Sequence, residues 1–540
     1  MLSLKKNKKY FTFIFFFIFF VLGFYVYPDY GISIDEDNTR IIGLISLKNI
    51  FSLFSTNYAI EVDNIIGSQI SAHVGFETSG VAFDLPMAFL EFVLNIKESR
   101  KYYLLRHFST FILYFISCYF FFLIIKNRFK SWSLSILGSL FFIASPRIFA
   151  NSFFNSKDIV FMSFFIIGIY TLINFLNNKN FKNVIFFSLT SALLINLRIF
   201  GLILPALFIL LYIEHISRSK IIKEKHYLLF FYFIISLIFF IFLTAPNLWD
   251  DPFNLFLVTI KNLSEHNLGI YTFYLGEFIN TNNPPWHYSL VWIFISTPLL
   301  YTFLFLVGFI LLLRRTFNNW ISVENNDSYF KMWSNNFELQ DLIFLGTFLI
   351  PLLITTYFGS ISYDGWRHLY FIYPSFLLIS ILGLNFIKNY FFKINYNYIY
   401  IIIIILVIPN IFWMIKNHPY QQVYFNYIAH KDFNKNFEMD YMGVTNKNAL
   451  EFIVSNEKEI VNVYNISSSD LTLAKQIFNK KIQNKINIVG DIDKADYIIN
   501  NYRDWNAKKS PINFIIPSGF DTIYEIKVDD ISINTIYKKQ

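Results

Sequence analysis

Cysteine is almost missing from this chain: Cys118 is the single one in 540 residues, and it lies inside an apolar run. No intramolecular disulfide is available, so any part outside a membrane must fold without one. Charge is scarce too, at 15% against 55% hydrophobic residues, which excludes an ordinary soluble protein. Internal repeats and low-complexity tracts are also lacking, the Ile run at 401–405 being part of an apolar span. What fills the chain is 68 Phe and 35 Tyr, gathered with aliphatic residues in runs that match the roughly 20 residues a helix needs to cross a bilayer. The composition predicts a polytopic α-helical membrane protein. A net charge of +8 would attract nucleic acid if it were concentrated, but Lys and Arg stand in short clusters between apolar runs, where they set topology. Nucleic acid is therefore not an expected partner.

Eleven spans are predicted, at 10–27, 104–125, 131–149, 158–176, 184–197, 199–214, 228–246, 288–313, 341–358, 368–387 and 397–415. The first follows Lys5, Lys6, Lys8 and Lys9 and has no small-residue cleavage site, so it reads as an uncleaved anchor with a cytoplasmic start. That orientation places five basic clusters on cytoplasmic turns: Lys126, Arg128 and Lys130; Lys179 and Lys182; Arg218, Lys220, Lys223 and Lys225; Arg314 and Arg315; Lys388 and Lys393. The far side then receives a first outer loop at 28–103, loops at 146–157, 247–287 and 359–367, and the tail. Lys97, Arg100, Lys101 and Arg106 also fall outside, in a loop long enough to escape the positive-inside preference. They read as an interfacial helix contacting lipid headgroups. Two domains follow: a transmembrane domain, 1–415, and a small extracytoplasmic α/β domain, 416–540. In the tail, Asp470 to Lys480 carries apolar residues at helical spacing (Leu471, Leu473, Ile477) between strand-like runs at 459–464 and 486–489, as a βαβ unit would, with a further run at 496–500. No catalytic constellation is visible in it.

Just past the first span stand Asp35, Glu36 and Asp37. One reading is local: Asp35 or Asp37 caps a helix running through Ile41 and Leu44. A functional reading needs further acids and a cation site on the same face. Asp84, in Phe83-Asp84-Leu85-Pro86, and Asp158, in Asn155-Ser156-Lys157-Asp158, supply the acids. Arg147, Lys157, Arg367 and His368 supply bases, and an Arg can hold phosphate oxygens through two parallel hydrogen bonds at the level of a lipid headgroup. Snorkelling or topology is the alternative for each base. Arg367 stands apart because it lies outside against the positive-inside preference. Trp249, Trp286 and Trp366 are candidates for stacking on sugar faces or for an interfacial belt. The spans themselves are nearly free of charge, whereas a transporter keeps midplane charges at about 2.5–3.5 kcal/mol each. Arg198, the exception, falls at the outer junction of two short spans.

The acid pair after the first span, the acid-Leu-Pro of the same loop, Asp158 and the late outer Arg367 together resemble the GT-C class of polyprenyl-phosphate-dependent glycosyltransferases. More narrowly, the chain is similar to bacterial relatives of protein O-mannosyltransferases and of the lipid A aminoarabinose transferase. The stretches Ser145 to Asp158, Pro285-Trp286-His287-Tyr288, Asp364 to Tyr370 and His418 to Asn426 carry the likeness, over roughly residues 10–450. The resemblance implies an enzyme of the bacterial inner membrane, with a polyprenyl-phosphate sugar donor and a protein, lipid or glycan acceptor. The sugar would leave the phosphate, with inversion, for an acceptor hydroxyl outside the cytoplasm. It implies Asp35 as catalytic base beside Glu36, Asp158 as a second catalytic acid, and Arg367 as phosphate contact, with Arg147, Lys157 and His368 in support and Trp286 on the substrate. Asp84 matches an acidic position, usually Glu, that helps hold a divalent metal near the lipid phosphate. Here Leu85 follows where those enzymes have Lys. His287 is the second metal candidate.

Two other classes stay open on the residues alone. A lipid-linked glycan polymerase or flippase-like transporter would not need Asp35, and a flippase would want polar residues inside the spans. A non-catalytic membrane scaffold would tolerate replacement of every outer acid.

Overall fold

In the computed structural model, residues 2–67, 80–218, 224–249, 251–255, 257–258, 269–321, 332–357, 359, 362–391, 397–429, 433–506 and 515–540 are described. Lys220, Lys223 and Lys393 of the expected basic turns lie outside the described residues.

Helices dominate, and the predicted spans fall on them. They are α1 (Leu2–Val26), α2 (Glu36–Ser52), α3 (Thr56–Ile66), α4 (Asp84–Val93), α5 (Ser99–Phe129), α6 (Trp132–Ile143), α7 (Pro146–Phe154), α8 (Asp158–Asn177), α9 (Phe181–Leu197), α10 (Ile203–Arg218), α11 (Glu224–Thr244), α12 (Tyr288–Ser296), α13 (Leu299–Ile321), α14 (Asn336–Tyr357), α15 (Tyr373–Phe391) and α16 (Asn397–Lys416). Eight apolar helices are long enough to cross a membrane, nine if the bent pair α6 and α7 counts as one span, and two more apolar helices, Phe181–Leu197 and Ile199–Glu214, are shorter. This is an integral membrane protein with a C-terminal sheet.

Two expected spans are broken. The run at 131–149 divides at Ser145-Pro146, and α7 leaves α6 at 67°; Pro146 lacks the amide that would continue the ladder but is well placed as the first residue of a new helix. The stretch 146–157, expected as a loop, is therefore mostly α7. The run at 288–313 divides at Thr297-Pro298 for the same reason. The expected interfacial helix is also corrected. Arg100, Lys101 and Arg106 form the start of α5, whose 31 residues extend about 46 Å at 1.5 Å each, well beyond a hydrocarbon core of about 30 Å.

Helices α13 and α15 approach backbone to backbone. A Cβ on Gly308 would lie 2.0 Å from the Ile379 carbonyl oxygen, and one on Gly383 2.1 Å from that of Leu304, so only glycine permits the crossing. At the far end of the bundle, Asp341 at the start of α14 receives both Arg128 from α5, at 2.6 Å, and Arg315 from α13, at 2.7 Å. Two of the basic clusters thus share one end of the bundle, and the start of α5 stands at the other.

The C-terminal sheet has five strands: β3 (Val461–Asn465), β4 (Ile486–Val489), β5 (Tyr497–Asn500), β6 (Phe520–Val528) and β7 (Ile531–Lys539). A separate two-stranded hairpin, β1 (Tyr271–Tyr274) and β2 (Glu277–Asn280), lies earlier in the chain. The sheet order is β4-β3-β5-β7-β6, with β3 parallel to both β4 and β5 and the rest antiparallel. Between β3 and β4 runs α17 (Leu471–Lys475), capped by Asp470, which accepts from the Thr472 and Leu473 amides at 2.7 and 3.2 Å. One hydrophobic core runs without a break from Phe16 in α1 to Ile536 in β7, so the sheet is packed into the helical region.

Candidate functional site

The segment after α1 is strapped before it reaches the site. Ser33 donates through Oγ to the Phe154 carbonyl at 2.9 Å, and the Ile34 amide donates to Met442 O at 3.3 Å. Glu36 then reaches back to accept from the Ser33 amide at 2.9 Å, as one half of a capping box does. Asp35, at the N-cap position of α2, makes no side-chain cap bond. Its carboxylate goes instead to Arg367, so Asp35 does not have the capping role.

Arg367 is the hub. Its side chain is 2% exposed and meets three carboxylates: Asp35, Asp158 at 3.3 Å and Asp364 at 3.1 Å. Asp158 opens α8, where the helix dipole favours an acid. It is fixed by Asn155, which accepts from the Asp158 amide at 2.8 Å and donates to its carboxylate at 2.9 Å. Its other oxygen takes Arg198, extended at the C-terminal end of α9. Asp364 and Gly365 both have left-handed backbones, φ 56° and 69°, and this tight turn delivers Arg367. An Asp tolerates that region better than most residues. The Tyr363 ring lies 5.1 Å from the guanidinium, and His368, half-buried, packs its ring on Tyr363 at 4.7 Å.

Lys157 completes the cluster. It keeps solvent-exposed surface, its side chain makes no hydrogen bond or ion pair among the described residues, and it stands within electrostatic reach of Asp35, Asp158, Arg198 and Arg367. Lys157 and the 28% exposed Asp35 are thus the members of the cluster's core of charges that keep surface. Crowding by protein, then the Arg198 charge, lowers the Lys157 pKa from the ordinary lysine value. Burial alone would raise the Asp35 pKa, but Arg367 and Lys157 outweigh it and hold that carboxyl below the ordinary aspartate value. Asp364 goes the other way: burial outweighs Arg503 and Arg367, and its pKa is raised. An ionised, 28% exposed carboxylate beside one free and one buried cation can accept a proton next to a bound anion.

The structure thus brings together Asp35, Asp158, Lys157, Arg367 and His368. Other candidates are placed elsewhere. Glu36, expected beside the base, is 1% exposed and bound to His107 at 3.0 Å, so it anchors α2 on α5. Arg147, expected on phosphate, is sandwiched between Trp292 and Phe425 at 5.1 and 4.7 Å and donates through Nε to Tyr424 O at 3.0 Å. Trp286 is 69% exposed and touches His287 edge-on. Asp84 is taken by Arg106, which also donates to Thr39 at 3.0 Å. His287 faces the Tyr274 hydroxyl at 2.7 Å. Asp84 and His287 share no partner, and no group of three or more His, Cys, Asp or Glu among the described residues is arranged to hold a metal. The residues named for a metal therefore do not fit one. Asp84→Ala is expected to destabilise the protein by about 3–5 kcal/mol, because it leaves a buried Arg106 without its charge partner; thermal unfolding in detergent checks this.

Several members of the cluster carry no assignment from sequence. Arg198 was visible as an outer Arg and Asp364 begins an Asp-Gly turn signal. Arg503 and Glu438 have no local signal at all.

No protein-family profile matches the chain. No curated protein matches it either. Among solved structures it is similar to ArnT from Cupriavidus metallidurans bound to undecaprenyl phosphate, with TM-score 0.44 and 9% identity, over 89% of this chain and 86% of that one. It is also similar to the Archaeoglobus fulgidus oligosaccharyltransferase tethered with an acceptor peptide containing the NVT sequon, with TM-score 0.40 and 10% identity, over 79% of this chain. The match spans 61% of that oligosaccharyltransferase's length.

Proposed function

We propose that the chain is a membrane glycosyltransferase that moves a sugar from a polyprenyl-phosphate donor to an acceptor hydroxyl, with inversion, on the extracytoplasmic face of a bacterial inner membrane. The observation that carries this reading is the cluster in which Asp35, partly exposed and held ionised, stands near Lys157 and is paired with the Arg367 hub. Donor phosphate oxygens bind Lys157 and draw Arg367 from Asp35. The acceptor hydroxyl approaches the opposite face of the sugar, and Asp35 takes its proton as the new bond to the anomeric carbon forms. The bond from that carbon to the phosphate oxygen breaks with its electron pair staying on the phosphate, where the two cations stabilise the added charge. A phosphate leaving group needs no general acid. Asp158 holds Arg367 and Arg198 in place without facing the substrate.

On this reading the N-terminus is cytoplasmic, the C-terminal sheet lies with the polar cluster on the far side, and the sugar is a hexose or pentose handled in the manner of a mannosyltransferase. The test is transfer of radiolabelled sugar from a panel of synthetic polyprenyl-phosphate sugars to a membrane extract, comparing the wild type with Asp35→Asn in matched folded preparations. Equal transfer by both would remove Asp35 from the chemistry and overturn the proposal.

A further inference from the structure

The C-terminal sheet sends one residue deep into the polar cluster. Strand β5 ends at Asn500, and the next residues turn sharply: Tyr502 has φ 62°, a left-handed conformation that a bulky side chain rarely adopts. The turn is held from several sides. The Tyr502 amide donates to Asn500 Oδ1 at 2.8 Å, the Arg503 amide to Asn501 Oδ1 at 3.3 Å, and the Ser468 amide, from the loop after β3, to Arg503 O at 2.8 Å. Asn501 donates to Asp440 O at 3.1 Å. The carboxyl ends of the parallel strands β3 and β5, the edge where open α/β sheets present functional loops, are thereby applied to the helical region. What they deliver is Arg503, 1% exposed.

Arg503 spans two carboxylates. One terminal nitrogen meets Asp364 and the other meets Glu438, and Glu438 is itself tied to Thr272 of β1 at 2.9 Å. Asp364 turns its second oxygen to Arg367 at 3.1 Å. The result is an alternating ladder, Glu438, Arg503, Asp364, Arg367, Asp35, buried at every rung but the last, which is partly exposed. A buried ladder of this kind is a poor source of stability, since well-packed apolar residues of the same volume do as well or better. What it does supply is orientation: a planar guanidinium locked from behind on one nitrogen presents the other in one direction.

We infer that Arg503 is a positioning residue that reaches Arg367 through Asp364 and sets the direction in which Arg367 meets the donor phosphate, so that the C-terminal sheet completes the site. The inference rests on the proposed roles of Asp35 and Arg367. Because Arg367 would hold the phosphate before transfer and also meet the charge that grows on it, mispositioning it weakens donor binding and slows turnover together.

The test uses the full chain, Arg503→Gln with Glu438→Gln so that opposite charges are removed together, Arg503→Lys, and Asp364→Asn, which leaves the Arg503 to Glu438 pair intact and keeps one neutral acceptor oxygen where two charged ones joined Arg503 to Arg367. The probe is the polyprenyl-phosphate sugar that the wild type accepts best. The double variant and Asp364→Asn are expected to lower kcat/KM for the donor by roughly ten- to hundredfold, the scale of a 1 Å misplacement, with donor KM raised and kcat lowered together. Arg503→Lys, which keeps the charge but not the fork, is expected to fall between them and the wild type. Unchanged donor KM in Asp364→Asn, or in the double variant with only the active fraction reduced, overturns the inference and leaves the ladder structural. Wild-type transfer that Asp35→Asn does not alter overturns the functional reading, and the inference with it.

Discussion

Arg367→Gln is expected to be the most damaging single substitution in the polar cluster, lowering stability by about 3–5 kcal/mol because it leaves buried carboxylates without their shared cation. Asp35, Asp158 and Asp364 all meet this one guanidinium. Asp158 retains Arg198 and Asp364 retains Arg503, whereas Asp35 is left with Lys157 alone. The pKa of Asp35 should therefore rise in this variant, since burial would act with less opposition. Thermal unfolding in detergent checks the stability. An unfolding temperature equal to that of the wild type would show that the hub does not hold the cluster together.

The second large effect is chemical. Asp35→Asn is expected to reduce transfer by about two to four orders of magnitude, the usual contribution of a positioned general base, without loss of folded protein. Stability is spared because Asp35 makes no cap bond and keeps accessible surface, and Asn still accepts from Arg367. The pH dependence has a definite sign. Asp35 lies below its ordinary value in the folded protein, so the stabilisation from its ion pair is complete above the unfolded-state value of about 3.9 and disappears as pH falls through the lower folded value. Transfer should accordingly show no Asp35 limb between about pH 5 and 8, and an acid limb only below the ordinary aspartate range. A limb near pH 6 that vanishes in Asp35→Asn would contradict the ionised state assigned here.

The helical positions were legible because each is a long apolar run, and burial in lipid leaves no other way to satisfy the backbone. The breaks at Pro146 and Pro298 were readable in principle from proline, but composition alone joined them into single spans. In the tail, alternating apolar residues identified β3, β4 and β5 and the intervening helix. The hairpin β6 and β7 went unread because many of its residues are polar and exposed, as in Phe520–Val528, where only Phe520, Ile526 and Val528 are buried.

By itself the sequence determined a membrane protein with its polar residues gathered in a few segments, and it picked out Asp35, Asp158, Lys157 and Arg367 among them. These choices follow from local rules: how many apolar residues span a bilayer, and where an acid or base stands at a span end. Only the tertiary structure decided which acids are free. Glu36 and Asp35 are neighbours of the same charge, yet one is taken by His107 and the Ser33 amide while the other meets Arg367 and keeps accessible surface. Asp84 was as good a candidate as Asp158 until Arg106 claimed it. Arg503 joined the cluster from 136 residues beyond Arg367, through a sheet whose own sequence shows nothing catalytic. The physical reason is that a buried charge must be matched by an opposite one within a few ångströms, and which pairs meet at that distance is a property of the folded chain that no local pattern encodes.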